Sequence, residues 1–151
     1  MREYLKLFHL PTTSCLLALA IIGNVFAPVL HLDRLCWLLI QLFLGGGVAA
    51  NYFDEIQGRP WQTTISETRL WIIAVLSFAA SMAIGVYLTW AVAPWFWVFI
   101  VVWGIITITY DLELFDGRFH NTSSLAVSWA SVCLGGYYLQ SLTVTPQILL
   151  I

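Results

Sequence analysis

Long apolar runs separated by short polar interruptions dominate this chain, and they predict five membrane-spanning helices. A spanning helix needs roughly 20 apolar residues and tolerates about 17. The first run extends from about Thr12 to Leu30 and is opened by Pro11, whose fixed φ and missing N–H suit a first helical turn. The second covers about Leu35 to Ala50 and is reached through the tight His31-Leu-Asp-Arg34 turn. The third covers about Leu70 to Val92, and Thr64-Ile-Ser-Glu67 ahead of it has capping-box form. After Ala93-Pro94 the fourth covers about Trp95 to Thr109, and the fifth covers about Ser123 to Leu142. Trp90, Trp95 and Trp97 bracket the turn between the third and fourth runs, where an aromatic belt belongs. The final Thr145-Pro-Gln-Ile-Leu-Leu-Ile151 reads as proline opening another apolar helix that stops after one turn, the expectation for a chain truncated there. The reading is thus one all-α membrane domain, residues 1–151, a polytopic helical bundle carrying about five spans.

Composition agrees with the pattern. Hydrophobic residues make up 60% of the chain and charged residues 9%, and the mean hydropathy is +0.86. These values, with eight tryptophans, describe an integral membrane protein. The first apolar run is too long for a signal-peptide core and lacks a small-residue cleavage site, so it reads as a retained helix. The net charge of −2 comes with no basic stripe, which argues against a nucleic-acid partner. Cys15, Cys36 and Cys133 are isolated in apolar stretches with no CxxC pair and read as small packing residues.

Charge changes the picture. Beyond the N-terminus, seven of the eleven charged residues fall in two islands, Asn51 to Arg59 and Tyr110 to Arg118. With five spans, one side of the membrane collects Arg2, Lys6, Arg59, Arg69 and Arg118, and the other collects Arg34 alone. The N-terminus and both islands are therefore expected to face the cytoplasm. Topology accounts for the arginines but not for Asp54, Glu55, Asp111, Glu113 and Asp116, because acids contribute little to orientation. Aligning Gly58-Arg59 with Gly117-Arg118 places Asp54 over Glu113 and Thr63 over Thr122, which suggests a repeated helix–loop–helix unit.

Asn51 and Asp54, three residues apart at a helix end, share a face and can reach one ion. Oxygen ligands of this kind suit Mg²⁺, which keeps waters and bridges to substrate phosphates. Arg59 and Arg118 would then contact phosphate oxygens through their planar guanidinium groups. The other reading of the same residues is a loop stitched together by Asp54–Arg59 or Asp116–Arg118 pairs.

From about Phe8 onward the chain resembles the N-terminal half of the UbiA-like intramembrane prenyltransferases. Three features carry the resemblance. They are the lead Leu7-Phe-His-Leu-Pro-Thr-Thr13, the acidic stretch Ala50-Asn-Tyr-Phe-Asp54 running into Gly58-Arg-Pro60, and the Tyr-led loop Tyr110 to Arg118 followed by a helix containing Gly135-Gly136. The resemblance implies a fold of about nine spans, and Mg²⁺-dependent transfer of a prenyl group from a prenyl diphosphate to a lipophilic or aromatic acceptor. It places metal at Asn51 and Asp54 and substrate at Arg59, Tyr110 and Arg118. The family's first motif is Asn-Asp-x-x-Asp-x-x-x-Asp; here Ala50, Asn51 and Gly58 stand where its Asn, first Asp and last Asp would be. Only Asp54 survives of the three acids, with Glu55 a possible substitute. The competing class is therefore a non-catalytic relative, lipid-binding or scaffolding, that has lost metal ligands.

Other residues admit blander readings. His9, His31 and His120 are scattered, with His31 across the membrane from the other two. Gly45-Gly-Gly47 reads as small-residue helix packing. Asn24 either lines a cavity or hydrogen-bonds a neighbouring helix. Asn121-Thr-Ser123 matches a glycosylation sequon but falls on the side assigned to the cytoplasm.

Overall fold

A computed structural model describes residues 2–143. Thr145–Ile151, read above as an interrupted helix, lies outside the described residues. The described chain is all-α: α1 (Arg2–Lys6), α2 (Leu10–Val25), α3 (Leu32–Leu42), α4 (Ala50–Gln57), α5 (Glu67–Ala91), α6 (Trp97–Asp111) and α7 (Thr122–Ser141). A π-helical segment, Phe43–Ala49, joins α3 to α4 without a break, and a 3-10 turn, Pro94–Phe96, leads into α6. Three of the helical stretches are long and apolar enough to cross a membrane: Leu32–Gln57, Glu67–Ala91 and Pro94–Asp111. At about 1.5 Å per residue, the 26 residues of the first extend about 39 Å.

Local chemistry sets the helix ends. Pro11 sits in the first turn of α2, and Pro28 stops its continuation, since the residue before a proline is pushed out of the α region. Asn121 caps α7, its Oδ1 accepting from the Ser124 amide at 3.0 Å. The capping box expected at Thr64–Glu67 does not form. Ser66 is the N-cap of α5 and makes no side-chain cap bond, while the Thr64 hydroxyl and amide both donate to Glu3 Oε2, at 2.8 and 2.6 Å.

Helix packing depends on small residues, because lipid gives apolar helices no hydrophobic reason to associate. A Cβ on Gly23 of α2 would collide with the carbonyl oxygen of Cys133 on α7. In the π segment, a Cβ on Gly45 would run into the indole of Trp103 on α6 and the hydroxyl of Ser81 on α5. One buried apolar cluster gathers around Leu38, Leu88, Phe96 and Leu139. A second, around Leu7, Tyr52, Phe53 and Leu70, ties α1 and α4 to the start of α5. Large apolar side chains cover the outer surface, and Trp90, Trp95 and Trp97 are exposed at the α5–α6 turn.

Asn24 is fully buried and bonds a neighbouring helix, accepting a hydrogen bond from Gln140 Nε2 of α7. Gln140 Oε1 in turn accepts from the His31 amide at 2.7 Å. Arg34 Nη1 donates to the Leu139 carbonyl at 3.0 Å, serving an orphan acceptor at the C-terminal end of α7. This network closes one end of the bundle. The N-terminal segment and both charged islands meet at the other, where His9, Asp54, Tyr110 and His120 line a common cavity.

Candidate functional site

The cavity at the charged end has a volume of about 390 Å³ and is walled by α2, α4, α6, α7 and the loop after α4. Of the residues singled out from sequence, Asn51, Asp54 and Tyr110 line it; Arg59 and Arg118 do not. Asp111, His9, His120, Thr12, Trp61, Trp103 and Trp129 also line it.

Asn51 is buried on α4, one turn past the glycine segment. Its Nδ2 donates to the Gly47 carbonyl at 2.9 Å, which orients the amide and leaves Oδ1 as a further acceptor. Asp54 follows three residues later on the same face and is half-buried. Asp111 ends α6, is only 9% exposed, and lies close enough to interact electrostatically with Asp54. Among the described residues neither carboxylate has a hydrogen bond or an ion pair; the one ion pair is His120–Glu113 at 3.8 Å.

The expected salt bridges Asp54–Arg59 and Asp116–Arg118 are both absent from the described residues. Arg59 is exposed with φ 47, and its Nη1 donates to the Thr63 carbonyl at 3.1 Å. Arg118 is exposed in the α6–α7 loop. Glu55 does not join Asp54. It is fully buried and accepts from the Trp61 amide at 3.0 Å, the Thr63 amide at 2.7 Å and the Thr63 hydroxyl at 2.8 Å. Its role is to hold the loop that carries Trp61 into the cavity wall.

The two histidines of this end both line the cavity. His9 approaches Thr12 Oγ1 through Nδ1 at 2.7 Å, and its ring lies 4.6 Å from that of Trp61. His120 stacks on Tyr110 at 4.2 Å, and its Nδ1 is 3.0 Å from the Tyr110 carbonyl. A carbonyl only accepts, so that bond puts the proton on Nδ1. The aligned halves of the proposed repeat sit differently: Asp54 is helical and faces the cavity, whereas Glu113 lies in a turn at φ 47.

Oxygen donors at Asn51, Asp54 and Asp111 are of the type Mg²⁺ accepts from a protein that leaves its other positions to water and phosphate. Among the described residues, however, no three His, Cys, Asp or Glu side chains group to hold a metal ion. The guanidinium groups that would clamp a diphosphate are also not in the cavity wall. The residues present supply acceptors without an anion clamp.

Comparison with protein-family models, curated proteins and solved structures gives no match. The cavity's own chemistry has to carry the functional reading.

Sequence reasoning passed over Asp111, His9, His120 and Trp61 as members of this site. Asp111 had a signal, since it adjoins Tyr110 at the end of an apolar run. Nothing in the spacing of His9 and His120 indicates that they line one cavity.

Proposed function

We propose that this chain is a multi-pass membrane protein that binds an amphipathic lipid at the charged end of its bundle without transforming it. The observation that carries this reading is a cavity lined by Asp54 and Asp111, with no Lys or Arg in its wall and no three-residue metal set among the described residues. Five spans, with the N-terminus and both charged loops cytoplasmic, complete the proposal. The five-to-one Lys/Arg bias supports that orientation, as does the meeting of those loops at one end.

The test is to purify the protein from lipid bilayers of defined composition and identify bound lipid by native mass spectrometry. Stoichiometric lipid that survives delipidating detergent is the expected result; a protein that carries none refutes the reading. Orientation is tested with single cysteines at Gln57 and Asp116, both exposed, in a background lacking Cys15, Cys36 and Cys133. Labelling of both from the non-cytoplasmic side would overturn it.

One observation favours a second reading, Mg²⁺-dependent prenyl transfer: Asn51, Asp54 and Tyr110 line one cavity, as the resemblance implies. Incubating the protein with labelled prenyl diphosphate and a lipid-extract acceptor pool, with and without Mg²⁺, separates the two. Product formed only with Mg²⁺ and lost in Asp54→Ala would replace the lipid-binding reading.

A further inference from the structure

We propose that the cavity selects its ligand by an organic ammonium group, the headgroup of an amine-bearing phospholipid, held between Asp54 and Asp111 and against the cavity's aromatic wall. This rests on the lipid-binding reading above and specifies its ligand class.

Asp111 is nine-tenths buried in the cavity wall with no hydrogen bond or ion pair among the described residues. A buried carboxylate without a partner is costly, and that cost is relieved by a cation or a strong donor. The cavity wall supplies no fixed cation. Arg59 is committed to the Thr63 carbonyl and Arg118 is exposed outside the wall. His120, 3.8 Å from Glu113 and stacked on Tyr110, acts electrostatically on Asp54 but not on Asp111, and His9 is engaged by Thr12 and Trp61. Among the described residues Asp111 therefore has no cation of its own, which leaves room for one carried by a ligand.

The remaining lining says what kind of cation it is. Asn51 contributes a second buried group, with Nδ2 occupied by the Gly47 carbonyl and Oδ1 left to accept. Trp61, Trp103 and Trp129 contribute indole surface, which attracts ammonium groups through the ring quadrupole. Acceptors, two acids and indoles together match an ammonium and disfavour a phosphate at the same point, so the ammonium end of the headgroup enters between the acids and its phosphate stays at the cavity mouth. A cavity of about 390 Å³ lies within the roughly 300–1,000 Å³ usual for small-molecule sites.

The experiment uses the full chain in phosphatidylglycerol nanodiscs doped with equal minor amounts of phosphatidylcholine and phosphatidylethanolamine, read by native mass spectrometry after release. Amine-bearing lipids should be enriched over phosphatidylglycerol by about tenfold. Asp54→Asn and Asp111→Asn should remove that preference. Asp54→Glu, which keeps the charge, should retain it, as should Asp116→Asn, an exposed acid outside the cavity wall. Thermal melts accompany each variant, and Asp54→Glu keeps the test decisive if one neutral variant fails to fold. Soluble choline and ethanolamine form a second arm. If they compete poorly, the source is a lipid headgroup as proposed; if they displace lipid at equal concentration, a soluble amine takes the site and the lipid assignment fails. Bound lipid with no preference for amines, or a preference unchanged in both Asn variants, overturns the ammonium site and leaves lipid binding standing. No bound lipid at all fails the underlying reading instead. Retention of a prenyl diphosphate that requires Mg²⁺ also overturns the proposal.

Discussion

Asp54, near the end of α4, and Asp111, the last residue of α6, share one cavity wall and act on each other electrostatically, and neither side chain has a hydrogen bond or ion pair among the described residues. Two acids so placed resist the folded state when the cavity is empty and reward any cation that enters it. The same pair therefore ties stability to ligand binding.

Replacing Asp111 by Asn should raise the thermal stability of delipidated protein, by about 1 kcal/mol, because it removes a buried acid that has no hydrogen bond and the cost of ionising it beside Asp54. The variant should also gain less stability than wild type when phosphatidylcholine is added. Melting curves with and without lipid check both effects. A lower melting temperature for lipid-free Asp111→Asn would mean the carboxylate has a stabilising role.

Glu55 gathers three donors from Trp61 and Thr63, so Glu55→Ala leaves two backbone amides and a hydroxyl unserved in a buried setting. A loss of about 2–4 kcal/mol follows from hydrogen bonds to a charged group. Amide exchange at Trp61 and Thr63 should accelerate while exchange in α7 stays slow. Since Trp61 lines the cavity, retained lipid should fall as well. Unchanged exchange at both amides would remove the loop-holding role.

At the α2–α7 contact, Gly23→Ala places a methyl against the Cys133 carbonyl oxygen, and backbone cannot step aside as a flexible side chain does. Overpacking of this kind costs about 1–3 kcal/mol. Spin labels on α2 and α7 should report a wider separation, and the variant should unfold at lower denaturing-detergent concentration. Gly58→Ala, with nothing within 4 Å of its Cβ position, serves as the tolerant control.

The Glu3–Thr64 contact should respond to acid. Two hydrogen bonds from Thr64 hold the Glu3 carboxyl below its ordinary range. A depressed carboxyl pKa stabilises the folded contact above the unfolded pKa, and that contribution disappears as pH falls through the lower folded value. Docking of α1 on the loop before α5 should thus be insensitive to pH near neutrality and weaken only on the acid side of the usual glutamate range. Exchange at the Thr64 amide measured against pH reads this directly. Glu3→Ala should abolish the acid dependence, and a variant that still shows it would assign the effect to another group.

Hydropathy runs and prolines were enough to locate the helices, because in a membrane segment the apolar length and the residue that cannot continue it are local properties. The expected runs at 12–30, 70–92 and 123–142 correspond to α2, α5 and α7, with ends displaced by a few residues except at α2, which stops at Val25 ahead of Pro28. The run at 35–50 extends to Gln57, since the acidic island remains helical through Asn51 to Gln57. Composition and charge placement also marked the end of the bundle where the polar chemistry lies.

Tertiary structure decided which polar residues meet. Successive residues on a helix point about 100° apart, so Asp54 faces the cavity while its neighbour Glu55 reaches into a loop, and their order in the chain carries no sign of that division. Asp54 shares the cavity wall with Asp111, because α4 packs beside the end of α6, while the aligned Glu113 lies past that end in a turn and outside the wall. Arg59 and Arg118 looked like anion clamps by type, but a guanidinium on a long side chain goes where the nearest unserved acceptor is, and for Arg59 that is the Thr63 carbonyl. Helix position follows from local hydrophobicity; the composition of the site follows from which helix ends share a cavity, and only the packed bundle determines that.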